Sequence, residues 1–368
     1  MSTRNAVLVG CVWAVAAFAL QPLSAGSGAP GTAGAQNAGA QKGKPGAPEF
    51  ATLSTLPSFG AGANSVAWAV DEAGTVIVGQ AYDQDGFLHA VKWTLQNGSW
   101  VMTDLPWPSD AISATARGVS NQGDAVGNDF PASSSRPVLW PATGGPVILG
   151  CPSDLGSKTV YGISADGQVV VGNAGGAAVW RPGSCSEVLP RLVGGGSTGA
   201  SAVNADGTIV GGSAFIPGAD NVPVRWLDVG GLWSIEQLDS LRGSVRGANG
   251  AGDLAGYVHV PCGSDDNDCQ RAVIWFATGG SHQLDTPDRD DSVAFDVNAS
   301  GEVVGISISP RGVAAAFFWS ESLGMMQLPS KGRSASPRAM SDVRPDGTRL
   351  VVGVDSHSQA IVWVVRNP

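Results

Sequence analysis

The side chains with the most chemical potential are histidines, tyrosines and aspartates that cluster in three separate stretches of the chain. The set consists of Tyr82, Asp83, Asp85, His89, Tyr257, His259, Asp265, Asp266, Asp268 and His357. Imidazole with carboxylate can transfer protons, aspartates can hold Ca²⁺, and tyrosine rings can contact a sugar or a peptide. The simpler interpretation is that these are solvated loop residues, so their function depends on whether the fold brings them together.

Motifs for covalent catalysis and phosphate binding are weak or absent. Residues 195–199 (Gly-Gly-Ser-Thr-Gly) match the G-x-S-x-G pattern, but this Gly-rich stretch has neither the preceding strand nor the following helix of a nucleophile elbow. It is better explained as a linker. The sequence contains no P-loop, no His-Glu-x-x-His, no Cys-x-x-Cys and no dinucleotide fingerprint.

Composition favours β structure and argues against a nucleic-acid partner. The 368 residues include 52 Gly and 23 Pro, which disfavours long helices, while 43% hydrophobic residues are enough for a core. The formal net charge is −10, whereas a phosphate backbone needs a positive surface.

The N-terminus predicts export. Residues 1–25 carry one charge, Arg4, and an apolar run from Ala6 to Leu20 that is short for a membrane span, as in a signal peptide. Residues 26–49 are rich in Gly, Ala, Pro and Gln and predict a flexible linker. We therefore expect a mature protein without a membrane span that is secreted, periplasmic or on a bacterial cell surface.

Four cysteines remain after the leader, in a compartment expected to be oxidising. Cys262 and Cys269 are seven positions apart and predict a disulfide across one loop. For Cys151 and Cys185 composition favours a pair, but their expected positions at opposite ends of outer strands argue against one. Both alternatives stay open.

A small apolar residue is followed four positions later by glycine seven times along the chain. The pairs are Val70/Gly74, Val119/Gly123, Ile163/Gly167, Val203/Gly207, Ala248/Gly252, Val297/Gly301 and Val343/Gly347. A short polar residue follows the apolar one in the first six pairs, and Arg344 in the seventh. Short polar side chains bond a turn's own backbone and glycine accepts a positive φ, so each pair predicts a hairpin turn.

Two further strands follow each predicted hairpin. The third strand ends in Trp93, Trp140, Trp180, Trp226, Trp275, Trp319 or Trp363. In the first six repeats a short fourth strand carries Leu105, Leu149, Leu189, Leu238, Leu284 or Leu328. Four strands in about 40 to 50 residues are typical of a propeller blade, so residues 50–368 are predicted to form an all-β, seven-bladed β-propeller.

The seventh repeat lacks a fourth strand, because the chain ends five residues after Trp363. Leu56 precedes Val70 by 14 positions, the same offset that separates Leu105 from Val119. The segment at about 51–57 is therefore predicted to be the outer strand of the last blade and to close the ring.

The third strands, such as His89-Ala90-Val91-Lys92-Trp93, and the element Gly324-Met325-Met326-Gln327-Leu328 resemble the HAF-type extracellular repeat of bacterial proteins. The resemblance covers nearly all of residues 51–368. It implies an exported repeat protein of undefined biochemical role. The eponymous His occurs only at His89.

The two faces of such a propeller differ in sequence. We call the face with the first-to-second and third-to-fourth turns the turn face, and the face with the second-to-third loops and blade connectors the loop face. Turns on the turn face are short and uniform, which predicts a scaffolding role. The loop face varies in length and collects the candidate residues together with Asp110, Asp129 and Asp220.

From this pattern we expect non-catalytic binding of a protein, peptide or glycan at the acidic loop face, with Ca²⁺ as a candidate ion. The first alternative is a hydrolase or lyase with a central site of loop Asp and His, for which Ca²⁺ is also the candidate ion. The second is a structural component of the cell surface.

Overall fold

The computed structural model describes residues 50–132, 134–151, 156–218, 220–262, 268–284, 286 and 291–366. Within these ranges the chain forms 28 β-strands and no helix. The strands make seven antiparallel four-stranded sheets arranged as blades in a ring. The all-β, seven-bladed β-propeller is thus confirmed.

The first four blades use consecutive strands, ordered from the centre outward. Blade one has β2 (Ser65–Val70), β3 (Val76–Tyr82), β4 (Leu88–Gln96) and β5 (Ser99–Asp104). Blade two has β6 (Ala114–Val119), β7 (Ala125–Asp129), β8 (Arg136–Trp140) and β9 (Val147–Ile148). Blade three has β10 (Thr159–Ile163), β11 (Val170–Asn173), β12 (Ala177–Trp180) and β13 (Glu187–Val188). Blade four has β14 (Thr198–Val203), β15 (Ile209–Ile216), β16 (Asp220–Val229) and β17 (Leu232–Gln237).

The remaining three blades follow the same order, and the last one also uses the N-terminal strand. Blade five has β18 (Gly243–Ala248), β19 (Leu254–Pro261), β20 (Asp268–Trp275) and β21 (Ser281–Gln283). Blade six has β22 (Asp291–Val297), β23 (Val303–Ile308), β24 (Ala314–Ser320) and β25 (Gly324–Gln327). Blade seven has β26 (Ala335–Met340), β27 (Thr348–Asp355), β28 (Ala360–Arg366) and β1 (Ala51–Thr55).

The ring closes through β1, as the sequence predicted. β1 pairs antiparallel with β28 and places Leu53 opposite Trp363. Beyond the strand, the Leu56 N–H donates to the Ala360 carbonyl at 2.9 Å. Leu56 is buried between blades seven and one. The N-terminal segment therefore completes blade seven and also contributes to the core that joins it to blade one.

The residue after each inner strand is a buried, short polar side chain that closes the first-to-second turn. The Asp71 carboxylate accepts a hydrogen bond from the Val76 N–H at 2.8 Å, and the Ser164 hydroxyl accepts one from the Val169 N–H at 2.9 Å. The equivalent residues in blades two, four, five and six are Ser120, Asn204, Asn249 and Asn298. These contacts confirm the predicted turn chemistry in six repeats.

Blade seven corrects the alignment of the last repeat. There Ser341 occupies the polar position and its hydroxyl accepts from the Leu350 N–H at 2.9 Å. Ser341 and Leu350 are nine residues apart, whereas Asp71 and Val76 in blade one are five apart. The pair Val343/Gly347 lies at the tip of this longer turn, so Arg344 does not replace a short polar residue.

Most of the blade tryptophans are joined to the preceding blade connector. The Trp363 Nε1–H donates to the Pro329 carbonyl at 2.7 Å, and Trp93 makes the same contact with Pro57 at 2.7 Å. Trp140 and Trp226 repeat the contact. The connector before Trp180 has Gly150 where these four have proline, and the buried Trp180 Nε1–H has no partner among the described residues.

This difference predicts unequal costs for two matched substitutions. Trp363→Phe removes packing and a hydrogen bond, whereas Trp180→Phe removes packing and an unsatisfied donor, and both indoles are fully buried. We expect Trp363→Phe to reduce the free energy of unfolding by about 1 kcal/mol more than Trp180→Phe. Urea denaturation of both variants measures the difference. Equal losses would contradict a stabilising role for the tryptophan–proline contact.

Both disulfides are formed. Cys262 pairs with Cys269 as predicted, with a Cα–Cα distance of 5.6 Å. Cys151 also pairs with Cys185, at 4.8 Å, so the geometric objection to this bond is wrong. The outer strands β9 and β13 are only two residues long, about 7 Å of extended chain, which is too short to keep the two cysteines apart. Two disulfides are typical of proteins in oxidising compartments.

The chain divides into two units at Ala47/Pro48. The predicted signal peptide and linker, residues 1–49, lie outside the described residues and stay predictions. Within the described ranges there is no helix with the length and apolar character to cross a membrane.

Candidate functional site

Every inner strand contains one β-bulge, and the seven bulges surround the central channel. In each strand the bulge falls two positions before the strand end. The bulged residues are Trp68, Arg117, Tyr161, Ser201, Arg246, Phe295 and Arg338. A bulge leaves one residue without a ladder partner and re-aims its side chain. All seven line one central pocket of about 200 Å³.

The pocket lies in the turn-face half of the channel. Its lining extends from the bulged residues to the first-to-second turns, including Glu72, Asn121 and Asp342. The inner strands approach closely at this level, since a Cβ on Gly118 would lie 3.0 Å from the Gly162 Cα. A Cβ on Gly247 would lie 2.6 Å from the Asp296 Cα. Glycine beside the bulge thus allows the strands to converge. The turn face, expected to act only as a scaffold, therefore carries a concave site to which every blade contributes a side chain.

The arginine side chains of the pocket stack on aromatic rings, of which Trp68 and Phe295 line the pocket and Tyr257 does not. The Arg117 guanidinium lies 3.9 Å from the centroid of the Trp68 ring, and Arg338 lies 4.8 Å from the same centroid. Arg338 is also 5.5 Å from the Phe295 centroid, and Arg246 is 5.5 Å from that of Tyr257. Such contacts hold the guanidinium planes in place.

The lining of the pocket holds three arginines, Arg117, Arg246 and Arg338, and three acids, Glu72, Asp296 and Asp342, in a protein with a net charge of −10. Burial lowers the pKa of Arg117 to about 10, and repulsion from Arg338 acts in the same direction, opposed by Tyr161. Burial and repulsion from Arg246 lower the pKa of Arg338 to about 10. Lowered values mean that the fold disfavours these charges in the absence of a counterion. The arrangement fits the binding of a negatively charged group.

Asp296 lies beside Phe295 and bridges blades six and seven. Its carboxylate accepts hydrogen bonds from the Met340 N–H at 2.8 Å and the Val297 N–H at 2.9 Å. Burial raises its pKa to about 7; the two backbone hydrogen bonds lower it, and Asp342 adds to the rise. Asp296 therefore changes its charge near neutral pH.

This shift predicts a pH dependence of stability. Because the pKa of Asp296 is higher in the folded state than its ordinary value of 3.8, its stabilising contribution is complete below pH 3.8 and is lost as pH rises to about 7. The wild type should lose on the order of 2 kcal/mol of unfolding free energy between pH 5.5 and pH 8. We expect the Asp296→Asn variant not to show this loss. Urea unfolding of both proteins at the two pH values measures it. Burial lowers the pKa of His259, so its contribution to stability changes with pH in the direction opposite to that of Asp296. This contribution is the same in both proteins and does not affect their difference. Identical pH slopes would refute the assignment.

The loop-face candidates occupy three separate positions. In blade one the His89 ring lies between Phe59 and Trp107, with centroid distances of 4.8 and 4.5 Å. Its Nε2 is 3.1 Å from Asp83 and its Nδ1 is 3.0 Å from Asp104. Burial raises the pKa of Asp83, but hydrogen bonds from Phe87, His89 and Asp85 outweigh it and lower the value. Both ring nitrogens of His89 therefore already have a carboxylate partner within blade one.

In blade five, Tyr257 and His259 form a ring contact at 5.7 Å. Asp268 and Asp220 both bind the Arg242 guanidinium. Asp265 and Asp266 lie outside the described residues.

In blade seven, His357 is exposed, and its Nδ1 is 3.6 Å from Asp355. In blade two, Asp110 and Asp129 both bind Arg136. Several loop-face acids therefore already contact cations.

The predicted residues thus lie in blades one, five and seven with separate partners. Among the described residues, no group of three His, Cys, Asp or Glu side chains is arranged to hold a metal ion. Binding of Ca²⁺ at the loop face stays a prediction.

Sequence reasoning missed the seven bulged residues because their types vary from tryptophan to serine. The signal that could have revealed them is their column, two positions before the small apolar residue of each repeat. In this column a long side chain often stands between two small ones, as Arg117 does between Ala116 and Gly118. Blade seven is the exception, because the sequence alignment of this repeat used Val343, and Arg338 does not lie two positions before Val343.

Comparison with known proteins supports the fold. No family model matches the sequence, and no curated protein matches it. Among solved structures, the β-propeller domain of the Trilobed protease from Pyrococcus furiosus, described as having an open velcro topology, is 10% identical with a TM-score of 0.54. That alignment covers 82% of this chain and 93% of the other.

Two further structures are similar over most of their length. YCF48 bound to D1 peptide is 14% identical with a TM-score of 0.50, covering 87% of this chain and 96% of that one. The Cps50 (Swd1) β-propeller domain of Myceliophteria thermophila is 14% identical with a TM-score of 0.51, covering 85% and 98%. These likenesses define the class of protein, a β-propeller.

Proposed function

We propose that this chain is an exported, non-catalytic β-propeller that recognises a segment of a peptide or protein in the central pocket. The observation that carries the proposal is the convergence of all seven inner strands on one pocket lined by arginine and aromatic side chains. Such residues are enriched where proteins recognise ligands. The two disulfides support export, and YCF48, a propeller of the same class, binds a peptide.

The hydrogen bond of the Ser201 hydroxyl in the pocket argues for recognition rather than nucleophilic catalysis by this serine. The Ser201 Oγ–H donates to the Val245 carbonyl at 2.7 Å, so it is directed at backbone and not at a base. The three histidines of the candidate set are in loop-face positions instead. A hydrolase or lyase remains the alternative that activity screening would detect.

Two tyrosines with equal exposure allow the turn-face pocket to be compared with the loop face. Tyr161 lines the pocket and is 41% exposed, whereas Tyr82 is on the loop face and is 39% exposed. The test is a peptide array probed with a chain that begins at Ala47. We expect Tyr161→Ala to weaken the binding of the retained peptides at least tenfold. Tyr82→Ala should leave their binding unchanged. Retention of no peptide, or loss only with Tyr82→Ala, would overturn the proposal.

A further inference from the structure

Three arginines from separate blades converge on the central pocket. Arg117 is on blade two, Arg246 on blade five and Arg338 on blade seven, and each is the bulged residue of its inner strand. The bulge fixes the start of each side chain, and the aromatic rings fix the guanidinium planes. The cationic groups are therefore pre-organised by the fold.

Stacking occupies the faces of the Arg117 and Arg338 guanidinium groups but leaves their N–H edges for hydrogen bonds. In the described part of the chain, Arg117 and Arg338 form no ion pair. The Nε–H of Arg338 is buried and has no hydrogen-bond partner there. Burying an N–H without an acceptor costs free energy, so the fold itself does not offset the desolvation of this guanidinium.

Other arginines show that the chain pairs its guanidinium groups where they serve the fold. Arg136 binds Asp110 and Asp129, Arg242 binds Asp220 and Asp268, and the buried Arg349 binds Glu302. A buried charge without a partner is strongly unfavourable, so structural arginines are paired. Arg117 and Arg338 are half-buried, line the pocket on which all seven inner strands converge, and form no ion pair with the described residues.

We propose that the pocket binds a carboxylate group of its peptide ligand, held by the N–H edges of Arg117 and Arg338. This inference rests on the proposed function and names the group that the pocket recognises. A carboxylate is planar and accepts two parallel hydrogen bonds from a guanidinium, which makes the pairing directional. The rings of Trp68 and Phe295 would contact the apolar atoms next to the carboxylate.

The size and charge of the surroundings exclude a polyanion. A pocket of about 200 Å³ is smaller than the sites that enclose drug-sized ligands, so it suits one side chain or one chain terminus. Glu72 and Asp342 lie in its lining at the turn face, Asp296 lies in its lining beside Phe295, and the whole protein carries a net charge of −10. A nucleic acid or a sulfated polysaccharide would be repelled by these acids, whereas a single carboxylate can pass between them.

The test uses a chain that begins at Ala47 and three acetylated tripeptides that differ only in their carboxylates. The first has a free C-terminal carboxylate, the second is its C-terminal amide, and the third is an amide with one internal Glu. Calorimetry at constant ionic strength gives each Kd. We expect either the first or the third to bind at least tenfold more tightly than the second, which identifies the source of the carboxylate.

Arginine variants connect this preference to the pocket. Arg117→Met and Arg338→Met should each weaken the binding of the preferred peptide at least tenfold. Arg338→Lys should also weaken it, because an ammonium group lacks the two parallel N–H donors of a guanidinium. Arg311→Met, which removes an exposed arginine in the second-to-third loop of blade six, should leave the Kd unchanged. The Tm of the methionine variants should stay equal or rise, because each removes a half-buried charge that desolvation and repulsion between arginines disfavour.

The outcomes separate this inference from the proposed function. If all three peptides bind equally and Tyr161→Ala abolishes that binding, the pocket recognises peptides but the carboxylate inference is overturned. If sodium glutarate binds in an Arg338-dependent manner and no peptide binds, the carboxylate site is retained and the proposed function fails. If Arg338→Met and Arg338→Lys both lower the Tm by several degrees with no change in Kd, Arg338 is structural and the inference is overturned.

Discussion

A chain that begins at Gly60 is expected to unfold at a Tm at least about 10 °C below that of a chain that begins at Ala47, and to aggregate on heating. The deletion removes β1 and with it the antiparallel pairing of Leu53 with Trp363. It also removes the buried Leu56 side chain and the Pro57 carbonyl that accepts from Trp93. Lost hydrogen bonds cost about 1 kcal/mol each and the buried leucine about 2 kcal/mol, so the sum is several kcal/mol.

The aggregation follows from the edge that the deletion creates. Without β1, strand β28 (Ala360–Arg366) presents its unpaired N–H and C=O groups to solvent, and its sequence Ala-Ile-Val-Trp-Val-Val-Arg is strongly apolar. Exposed apolar edge strands pair with other chains. The Tm is measured by calorimetry and the aggregation by light scattering.

A peptide in trans provides the control for this deletion. Residues 48–59 supplied as a synthetic peptide should raise the Tm of the shortened chain in a concentration-dependent way, because a ligand that binds only the folded state stabilises it by mass action. A shortened chain with the same Tm as the longer one, or one whose Tm does not change on addition of the peptide, would refute closure by β1.

The part of the fold that sequence could predict is the part that repeats locally. The glycine in each first-to-second turn and the tryptophan in each third strand recur because every blade packs against two similar neighbours. The offset between Leu56 and Val70 repeats that between Leu105 and Val119 because the N-terminal segment is the missing part of the same unit. Local spacing was therefore enough to predict blade number and closure.

The features that were missed depend on distances between blades. Cys151 meets Cys185 because two outer strands are short, and strand length at the periphery is not fixed by the repeat. Ser341 was missed because a longer turn displaces the glycine of the last repeat. The pocket was missed because a bulge is recognised only when the pairing register of its strand is known.

The buried ion pair between blades six and seven leads to the second large prediction. The Arg349 Nε–H donates to the Glu302 carboxylate at 2.7 Å, and a terminal nitrogen of Arg349 contacts the other carboxylate oxygen. Asn298 Nδ2–H also donates to Glu302 at 2.7 Å, and Arg349 donates to the Gly347 carbonyl at 2.8 Å. Both charged side chains are only 6% exposed.

We expect Glu302→Ala to reduce the free energy of unfolding by about 3–5 kcal/mol, because it leaves the Arg349 guanidinium buried without its counterion. Urea denaturation measures the loss. The exposed pair Arg181–Glu187, with side-chain exposures of 37% and 49%, is the matched control. Glu187→Ala should cost at most about 1 kcal/mol, because exposed pairs are screened by water.

The double variant Glu302→Leu/Arg349→Met separates the cost of an unpaired charge from the value of the pair. Because it removes both charges and keeps apolar volume between the blades, its stability should return close to that of the wild type. A double variant as unstable as Glu302→Ala would show that the ion pair itself holds blades six and seven together. Recovery would mean that Arg349 is tolerated only because Glu302 neutralises it. Arg117 and Arg338, which are half-buried at the central pocket, form no such ion pair in the described part of the chain, which is the physical basis for expecting their counterion on a ligand.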